Sequence, residues 1–262
     1  MLRELLLRRL AERGLSPVLF LSEETGSTND DAKRYAESVP EGPVLFAADR
    51  QTAGRGRMGR TFVSPPGGMY MSLLLPAPRF SATAGAVSVT GCAAVAACRA
   101  VEEVAGIPAR IKWVNDILVP AHEDGAFGKA AGILCETTGR GEGDRALVIG
   151  IGVNIERAPE VEGANFPPAA LSSPGRRAEP EALCAALTDE FLKIARNGYD
   201  FSSVSDEYRV RSVVLGRTVR FVRNGGTFSG IARSILRDGS LLVETAEGDA
   251  VLNSGEISVR LE

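Results

Sequence analysis

The chain has 262 residues, with 30 Lys or Arg against 33 Asp or Glu and a formal net charge of −3. At 44% hydrophobic and 24% charged it has the composition of a globular protein rather than a disordered or fibrous one, and a pI near 5.5 argues against a main task of coating nucleic acid. A single histidine, His122 in the polar stretch Pro120-Ala121-His122-Glu123-Asp124-Gly125, all but excludes a histidine triad or a multi-histidine metal site.

In chain order, Met1 to Leu10 is interrupted by charge too often for a signal-peptide core, and Leu2, Leu5, Leu6 and Leu10 share one face of a short amphipathic helix. A strand pattern over Pro17–Glu23 is broken by Gly26-Ser27-Thr28-Asn29, and a helix follows from about Asp30 to Glu37. Strands over Pro43–Ala48 and Met69–Leu75 flank a Gly/Arg-rich loop, Gln51 to Gly68. Ser81 to Cys98 carries no charge, but its Ala, Gly, Ser, Thr and Val content is too weakly apolar for lipid and suits a buried helix. A strand ending at Trp113, a polar loop around His122, and adjacent strands over Ala130–Thr137 and Ala146–Ile151, joined by Gly139-Arg140-Gly141-Glu142-Gly143, come next. A loop from Asn165 to Pro180 leads into a helix with Leu183, Leu187, Phe191, Leu192 and Ile194, stopped at Asn197-Gly198.

From about Ser212 the pattern changes to short strands, Thr218–Val222, Phe228–Ile235, Ser240–Glu244 and Ala250–Val259, with turns at Asn224-Gly225-Gly226, Asp238-Gly239 and Glu247-Gly248-Asp249. That is enough chain for a small β-barrel and too little for a sandwich. The expected architecture is α+β, a domain over 1–211 and a small all-β domain over 212–262. Cys92, Cys98, Cys135 and Cys184 form no CxxC pair and read as small buried apolar residues in a reducing compartment, the cytoplasm.

Several segments carry chemistry-bearing residues. Gln51-Thr52-Ala53-Gly54-Arg55-Gly56-Arg57-Met58-Gly59-Arg60 formally matches G-x-G-x-x-G, but Thr61-Phe62-Val63-Ser64-Pro65-Pro66-Gly67 starts no helix, so the dinucleotide-binding reading fails on context. Glycines that admit a close ligand, alternating with guanidinium groups, suit an enclosed anion; the bland alternative is a solvated basic loop. Ile111-Lys112-Trp113-Val114-Asn115-Asp116-Ile117 sets an aromatic body beside polar groups at a strand end, where Lys112 would meet phosphates and Asp116 a magnesium ion or a ribose; the alternative is a core Trp and a plain turn. Gly128-Lys129-Ala130-Ala131-Gly132-Ile133-Leu134 places a lysine at a small-residue strand whose Gly132 would let a ligand lie flat. Ser27-Thr28-Asn29 reads first as a helix cap, and Gly150-Ile151-Gly152-Val153-Asn154 has glycines alternating along a strand.

In this order the segments, with Phe166-Pro167-Pro168-Ala169-Ala170 and Ser172, resemble the biotin protein ligases from about Ser27 to the C-terminus. The resemblance implies a mixed-sheet catalytic domain with flanking helices followed by an SH3-like barrel. It implies an enzyme that joins biotin to ATP, giving biotinyl-5′-adenylate, and passes biotin to a lysine of a biotin carboxyl carrier protein. By motif position, Arg55, Arg57 and Lys129 would hold the carboxylate and phosphates, and Ser27, Thr28 and Gln51 the biotin head, with Asn29 and Phe62 also among the ligand-binding residues. Gly54, Gly56, Arg60, Gly132, Leu134 and Gly152 would line the ligand site. Lys112, Trp113, Asn115 and Asp116 would face ATP and Mg²⁺, with Asp116 as the metal ligand and Asn154 near the adenosine. Phe62 stands where the family commonly has Trp, and Val114 where it has Pro. Only 26 residues precede Ser27, so no DNA-binding module and no DNA partner are expected; pairing through sheet edges is the family's way of forming a homodimer. A lipoate-type ligase of the same fold is the nearest rival reading, and a nucleic-acid-binding module the rival from another class.

Overall fold

The computed structural model describes residues 1–38, 40–76, 85–121, 125–140, 144–161, 166–223, 225–253 and 260–261. His122 and the turn residue Asn224 lie outside them, as does part of the expected 139–143 connection. Helix α1 (Arg3–Glu12) precedes strand β1 (Val18–Thr25), helix α2 (Thr28–Ala36) and strand β2 (Val44–Gln51). After the Gly/Arg loop come β3 (Gly68–Pro76), the long α3 (Ala86–Ala105), β4 (Arg110–Lys112), β5 (Asp116–Pro120), β6 (Phe127–Arg140) and β7 (Asp144–Asn154). Helices α4 (Pro180–Arg196) and α5 (Ser205–Arg211) lead into β8 (Thr218–Arg223), β9 (Gly226–Ile235), β10 (Leu241–Thr245), β11 (Gly248–Leu252) and β12 (Arg260–Leu261).

The first seven strands form one mixed sheet in the order β1-β2-β3-β7-β6-β5-β4, parallel between β1 and β2 and antiparallel elsewhere. The strands' two-residue period divides its faces. Met69, Met71 and Leu73 on β3, Ile149, Ile151 and Val153 on β7, and Ala131 and Ile133 on β6 point to the main core, under α3 and α4. On the opposite face α2 covers an apolar cluster that includes Phe46, Leu74, Ala146 and Val148. The Gly/Arg loop folds over the part of that face beside it.

Helix α3 is buried along most of its length, as its small uncharged residues predicted, and Gly91 admits the Phe201 ring, which would stand 2.6 Å from a Cβ there. No helix among the described residues is long and apolar enough to cross a membrane. Strand β5 and helix α5 were not anticipated; α2 begins two residues earlier than expected, and Trp113 lies just beyond β4, in the turn to β5.

Strands β8 to β12 form a five-stranded antiparallel sheet, β11-β10-β9-β8-β12. Among the described residues β11 and β12 do not pair, so the small all-β unit stands as an open sheet rather than a closed barrel. Its inward side chains, including Val219, Phe221, Ala232 and Val243, continue the main core. Trp113 Nε1 donates to Gly239 O (3.0 Å), and the Tyr208 hydroxyl to Val114 O (3.4 Å), tying the β4–β5 turn to this sheet and to α5.

A charge network fixes α5 and β4 to α3. Arg211 grips both Glu102 oxygens (2.6 and 2.8 Å) and Glu207, which also accepts from Arg99, while Ala109 N donates to Glu102. The Arg211 hydrogen bonds hold the Glu102 carboxyl below its ordinary range against the opposing effect of burial. A depressed carboxylate stabilises the fold above its unfolded pKa, about 4.3, and that contribution is lost as pH falls through the lower folded value. Glu102→Gln is expected to lower unfolding stability by about 1–3 kcal/mol at neutral pH in urea titrations, and to shrink the difference from wild type below pH ~4.

Candidate active site

On the open face of the large sheet, strand register lines up Lys112, Asp116, Gly132, Gly152 and Tyr70 in one row across β4, β5, β6, β7 and β3. The next row runs Leu134, Gly150, Ser72 and Phe46. The middle of both rows is glycine, so the floor there is bare backbone.

Lys129 reaches this face because of a bulge. Ile117 pairs with Ala131 but Leu118 with Lys129, leaving Ala130 as an extra residue in β6. By strict alternation Lys129 would share the core-facing side of Ala131 and Ile133; the inserted residue re-aims it to the side of Gly132. Its ammonium lies 2.7 Å from Asp116 Oδ1, and Lys112 Nζ lies 3.5 Å from Oδ2. Burial alone would raise the Asp116 pKa, but Lys129 and then Lys112 outweigh it and hold the carboxyl below its ordinary range. Burial pushes the Lys112 ammonium down, with Asp116 opposing.

The Gly/Arg loop is a hairpin folded over the floor. Arg55 bridges to Thr61, Gly56 N donates to Arg60 O (2.7 Å), Phe62 N to Gly54 O (2.9 Å) and Gln51 N to Ser64 O (3.1 Å). Met58 and Gly59 at the tip are both left-handed (φ 58° and 70°), as in tight hairpin turns. Gly54 is required for closeness: a Cβ would stand 2.4 Å from Phe62 O and 2.5 Å from Ser64 Oγ. Arg57 donates to Asn115 Oδ1 (2.9 Å), and Asn115 in turn donates to Ile133 O (3.0 Å). Burial is the largest influence on Arg57 and lowers its pKa.

At the other end of the floor, Ser27 occupies the N-cap position of α2 but makes no capping bond. Gln51 takes that role, its Oε1 accepting from Thr28 N (2.9 Å) and Thr28 Oγ1 (3.2 Å), while its Nε2 donates to Ser64 Oγ (3.0 Å). Asn29 lies over Gly150, donates to Leu134 O and Glu136, and accepts from Ser72 Oγ (2.6 Å).

Two cavities result. One, of about 110 Å³, is lined by Arg55, Gly56, Arg57, Arg60, Phe62, Lys112, Trp113, Asn115, Asp116, Lys129, Gly132 and Leu134 among others. The second, about 20 Å³, meets Ser27, Thr28, Asn29, Gln51, Gly152 and again Arg55, Phe62, Gly132 and Leu134. Phe62 is the divider: Cβ atoms on Gly152 and Gly132 would stand 2.4 and 3.0 Å from its ring, and Lys129 Nζ lies 5.8 Å from the ring centre. Both volumes fall below the ~300 Å³ of ordinary small-molecule sites while the Phe62 ring lies on the glycine floor between them.

The structure therefore brings together nearly every residue singled out from the sequence. Asn154 and Gly54 are exceptions: the Asn154 amide donates to Lys129 O (3.3 Å) and Ala169 O (3.0 Å), fastening the 167–169 segment behind Lys129 rather than lining a cavity. Gly54 serves the hairpin's own packing. Sequence reasoning passed over Ser72, Tyr70, Asp30 and Glu136; strand register against the glycines would have found the first two. The four thiols are free and pushed up to about 12 by burial, which makes them inert. Among the described residues no His/Cys/Asp/Glu group is built to cage a metal.

Residues 21–154 match the family described as the biotin/lipoate A/B protein ligase family, and residues 214–260 the biotin protein ligase C-terminal domain. The chain is 33% identical over 242 residues to the biotin–[acetyl-CoA-carboxylase] ligase of Paracoccus denitrificans, covering 89% of this chain and 97% of that protein. It is 33% identical over 249 residues to the bifunctional ligase/repressor BirA of Bacillus subtilis, covering 92% of this chain and 74% of that one. Among solved structures, the biotin protein ligase from Aquifex aeolicus in complex with biotin and ATP superposes with a TM-score of 0.74 at 26% identity, over 94% of this chain and 99% of that one.

The glycine floor makes a prediction independent of any ligand. A Cβ on Gly150 would stand 1.9 Å from Asn29 Oδ1, so Gly150→Ala must expel Asn29 from its bonds with Ser72 and Leu134. Chemical denaturation is expected to show a loss of about 2 kcal/mol or more; an unchanged midpoint would contradict the packing described.

Proposed function

The chain belongs to the biotin/lipoate A/B protein ligase family, and from that membership we propose that it adenylates biotin with ATP and transfers the biotinyl group to one lysine of a biotin carboxyl carrier protein or domain. In the first half-reaction a biotin carboxylate oxygen attacks the α-phosphorus of ATP, the bond from that phosphorus to the bridging oxygen breaks, and pyrophosphate leaves. In the second, the neutral amine of the acceptor lysine attacks the acyl carbon, AMP leaves, and the proton lost by the amine passes to solvent.

The observation that carries this reading is the convergence of Lys129, Lys112 and Arg57 on the Asn115-Asp116 turn beside a bare glycine floor. Bringing a carboxylate against an α-phosphate crowds like charges, and fixed cations in a water-poor site are what lowers that barrier. Lys129 and Arg57 neutralise the two reacting anions, and Lys112 meets the remaining phosphates. Ser27, Thr28, Asn29 and Gln51 stand at the end suited to the biotin head, over the strip formed by Gly132, Leu134 and Gly152. Arg55 departs from its expected part: its guanidinium is engaged by Asp30 and Glu136, so it anchors the hairpin. Phe62 withdraws from the glycines and packs on the ligand that replaces it. Asp116, a lone carboxylate that Lys129 and Lys112 engage, would hold an Mg²⁺ only together with ATP phosphate oxygens and with those ammonium groups turned to the ligand, not as an all-protein cage. When bound, that ion would supply positive charge to the phosphates. Reduced, buried thiols suit the cytoplasm.

ATP–pyrophosphate exchange with Mg²⁺ is expected with biotin and absent with lipoate or with neither. Exchange with lipoate alone would replace the substrate, and none with either would overturn the reading. Lys129→Ala should cut exchange about a hundredfold or more with folding intact. Arg57→Gly should let the adenylate escape, so that bystander lysines acquire biotin; a variant that stays selective for the carrier would remove Arg57 from any retaining role.

A further inference from the structure

The hairpin over the floor is fastened on its Arg55 side by groups that take no part in the chemistry above. Arg55 Nη1 lies 2.6 Å from Asp30 Oδ1, and Nη2 lies 3.4 Å from Glu136 Oε1. Lys33 Nζ reaches the same two carboxylates at 2.9 and 3.1 Å. Asp30 and Lys33 are three apart on α2 and so share the face that looks toward β6 and the hairpin. Two cations and two anions thus alternate in a closed ring that joins three elements: the hairpin, α2 and β6. Burial opposes ionisation of Asp30, but the Lys33 and Arg55 hydrogen bonds outweigh it and keep the carboxyl below its ordinary range. Asp30 lines neither cavity.

Resting on the adenylating reading of the site, we propose that Asp30 is a positioning residue that latches the hairpin shut through Arg55, with Lys33 and Glu136 completing the ring, and so sets how long the acyl-adenylate stays bound. Asp30 acts at a distance from the reacting atoms: it holds the base of the hairpin arm whose other side carries Arg57 and Phe62. Asp30 and Arg55 are each more than a third exposed (41% and 45%), so the latch is weak and open to salt. Weakness suits a cover that must open once per turnover to admit substrates and the acceptor lysine. The Arg57–Asn115 contact, by contrast, is partly buried and lies at the nucleotide end of the site.

The test compares wild type, Asp30→Asn and Asp30→Glu with two readouts. The first is the rate at which trypsin nicks the ligand-free hairpin after Arg57 or Arg60. The second is the rate at which preformed, labelled biotinyl-5′-adenylate leaves the enzyme in a chase with unlabelled biotin and ATP. Asp30→Asn is expected to raise both rates about fivefold, the factor that ~1 kcal/mol represents, while Asp30→Glu stays near wild type. Raising salt from about 0.05 to about 0.5 M should move wild type toward the Asn variant and change that variant less, since it keeps only the Glu136 pairs of the ring, a difference that loss of packing would not produce. Equal rates for wild type and Asp30→Asn, or a salt response of the same size in both, would overturn the latch. A wild-type enzyme that forms no adenylate would overturn the biotin reading instead, and the nicking rates would still decide on the latch.

Discussion

The site depends on a strip of uncovered backbone in the middle of a sheet. Gly132, Gly150 and Gly152 all face the same side because side chains alternate along β6 and β7, and the residues between them, Ile133, Ile149, Ile151 and Val153, are driven into the main core by the same alternation. A single methyl on this strip collides with Asn29 at one end or Phe62 at the other. The apolar half of these strands holds the fold together, and their glycine half leaves room at its surface. One sequence pattern thus does two tasks on the two faces of one strand. The α2 helix and the Gly/Arg hairpin share the job of roofing the glycine face, the helix with Asn29 and the hairpin with Phe62.

Charge is then distributed over that floor so that cations gather at one end of it, with enough carboxylate and amide to hold them in place. Asp116 holds Lys112 and Lys129; Asn115 holds Arg57; Asp30 and Glu136 hold Arg55 and Lys33. The first two sets lie in the larger cavity and the third lies at its edge. The chain's near-neutral total therefore conceals a site in which Lys112, Lys129, Arg57 and Arg55 are each kept in place by a polar or acidic partner. Preorganised cations of this kind need little rearrangement during reaction, which is the condition under which they lower a barrier most.

Much of this was legible in the sequence, for identifiable reasons. Alternating glycines in Gly150-Ile151-Gly152 announce a strand that something approaches closely, and the Gly/Arg loop and Lys112-to-Asp116 segment announce polar groups at strand ends. What was not legible is three-dimensional register. Nothing local says that Ala130 is the extra residue of a bulge, yet that residue decides whether Lys129 faces the core or the site. Ser27 looked like a cap, but the first N–H of α2, that of Thr28, is met by Gln51, more than twenty residues away in the chain. Asn154 was expected beside the adenosine only from its place in the family motif; at the end of β7, its amide reaches the backbone behind Lys129. Arg55 and Arg57, two residues apart in an extended arm, diverge to different partners, which composition could not distinguish.

The small C-terminal sheet follows from the same geometry. The β4–β5 turn carries Lys112, Asn115 and Asp116 on its inner side, and β4 is an edge strand of only three residues, too short to hold such a turn by its own ladder. Its rigidity comes from outside the large sheet: the Trp113 indole bonded to Gly239 O, the Tyr208 hydroxyl at Val114 O, and the Glu102–Arg211 clamp at the start of β4. Trp113 is only 2% exposed, its indole bonded to the second sheet while the residue borders the larger cavity with its neighbours. The second sheet thus acts as the wall against which the most highly charged turn of the site is braced. Polar side chains are placed more precisely when their backbone is fixed by packed elements than when it hangs from a free edge.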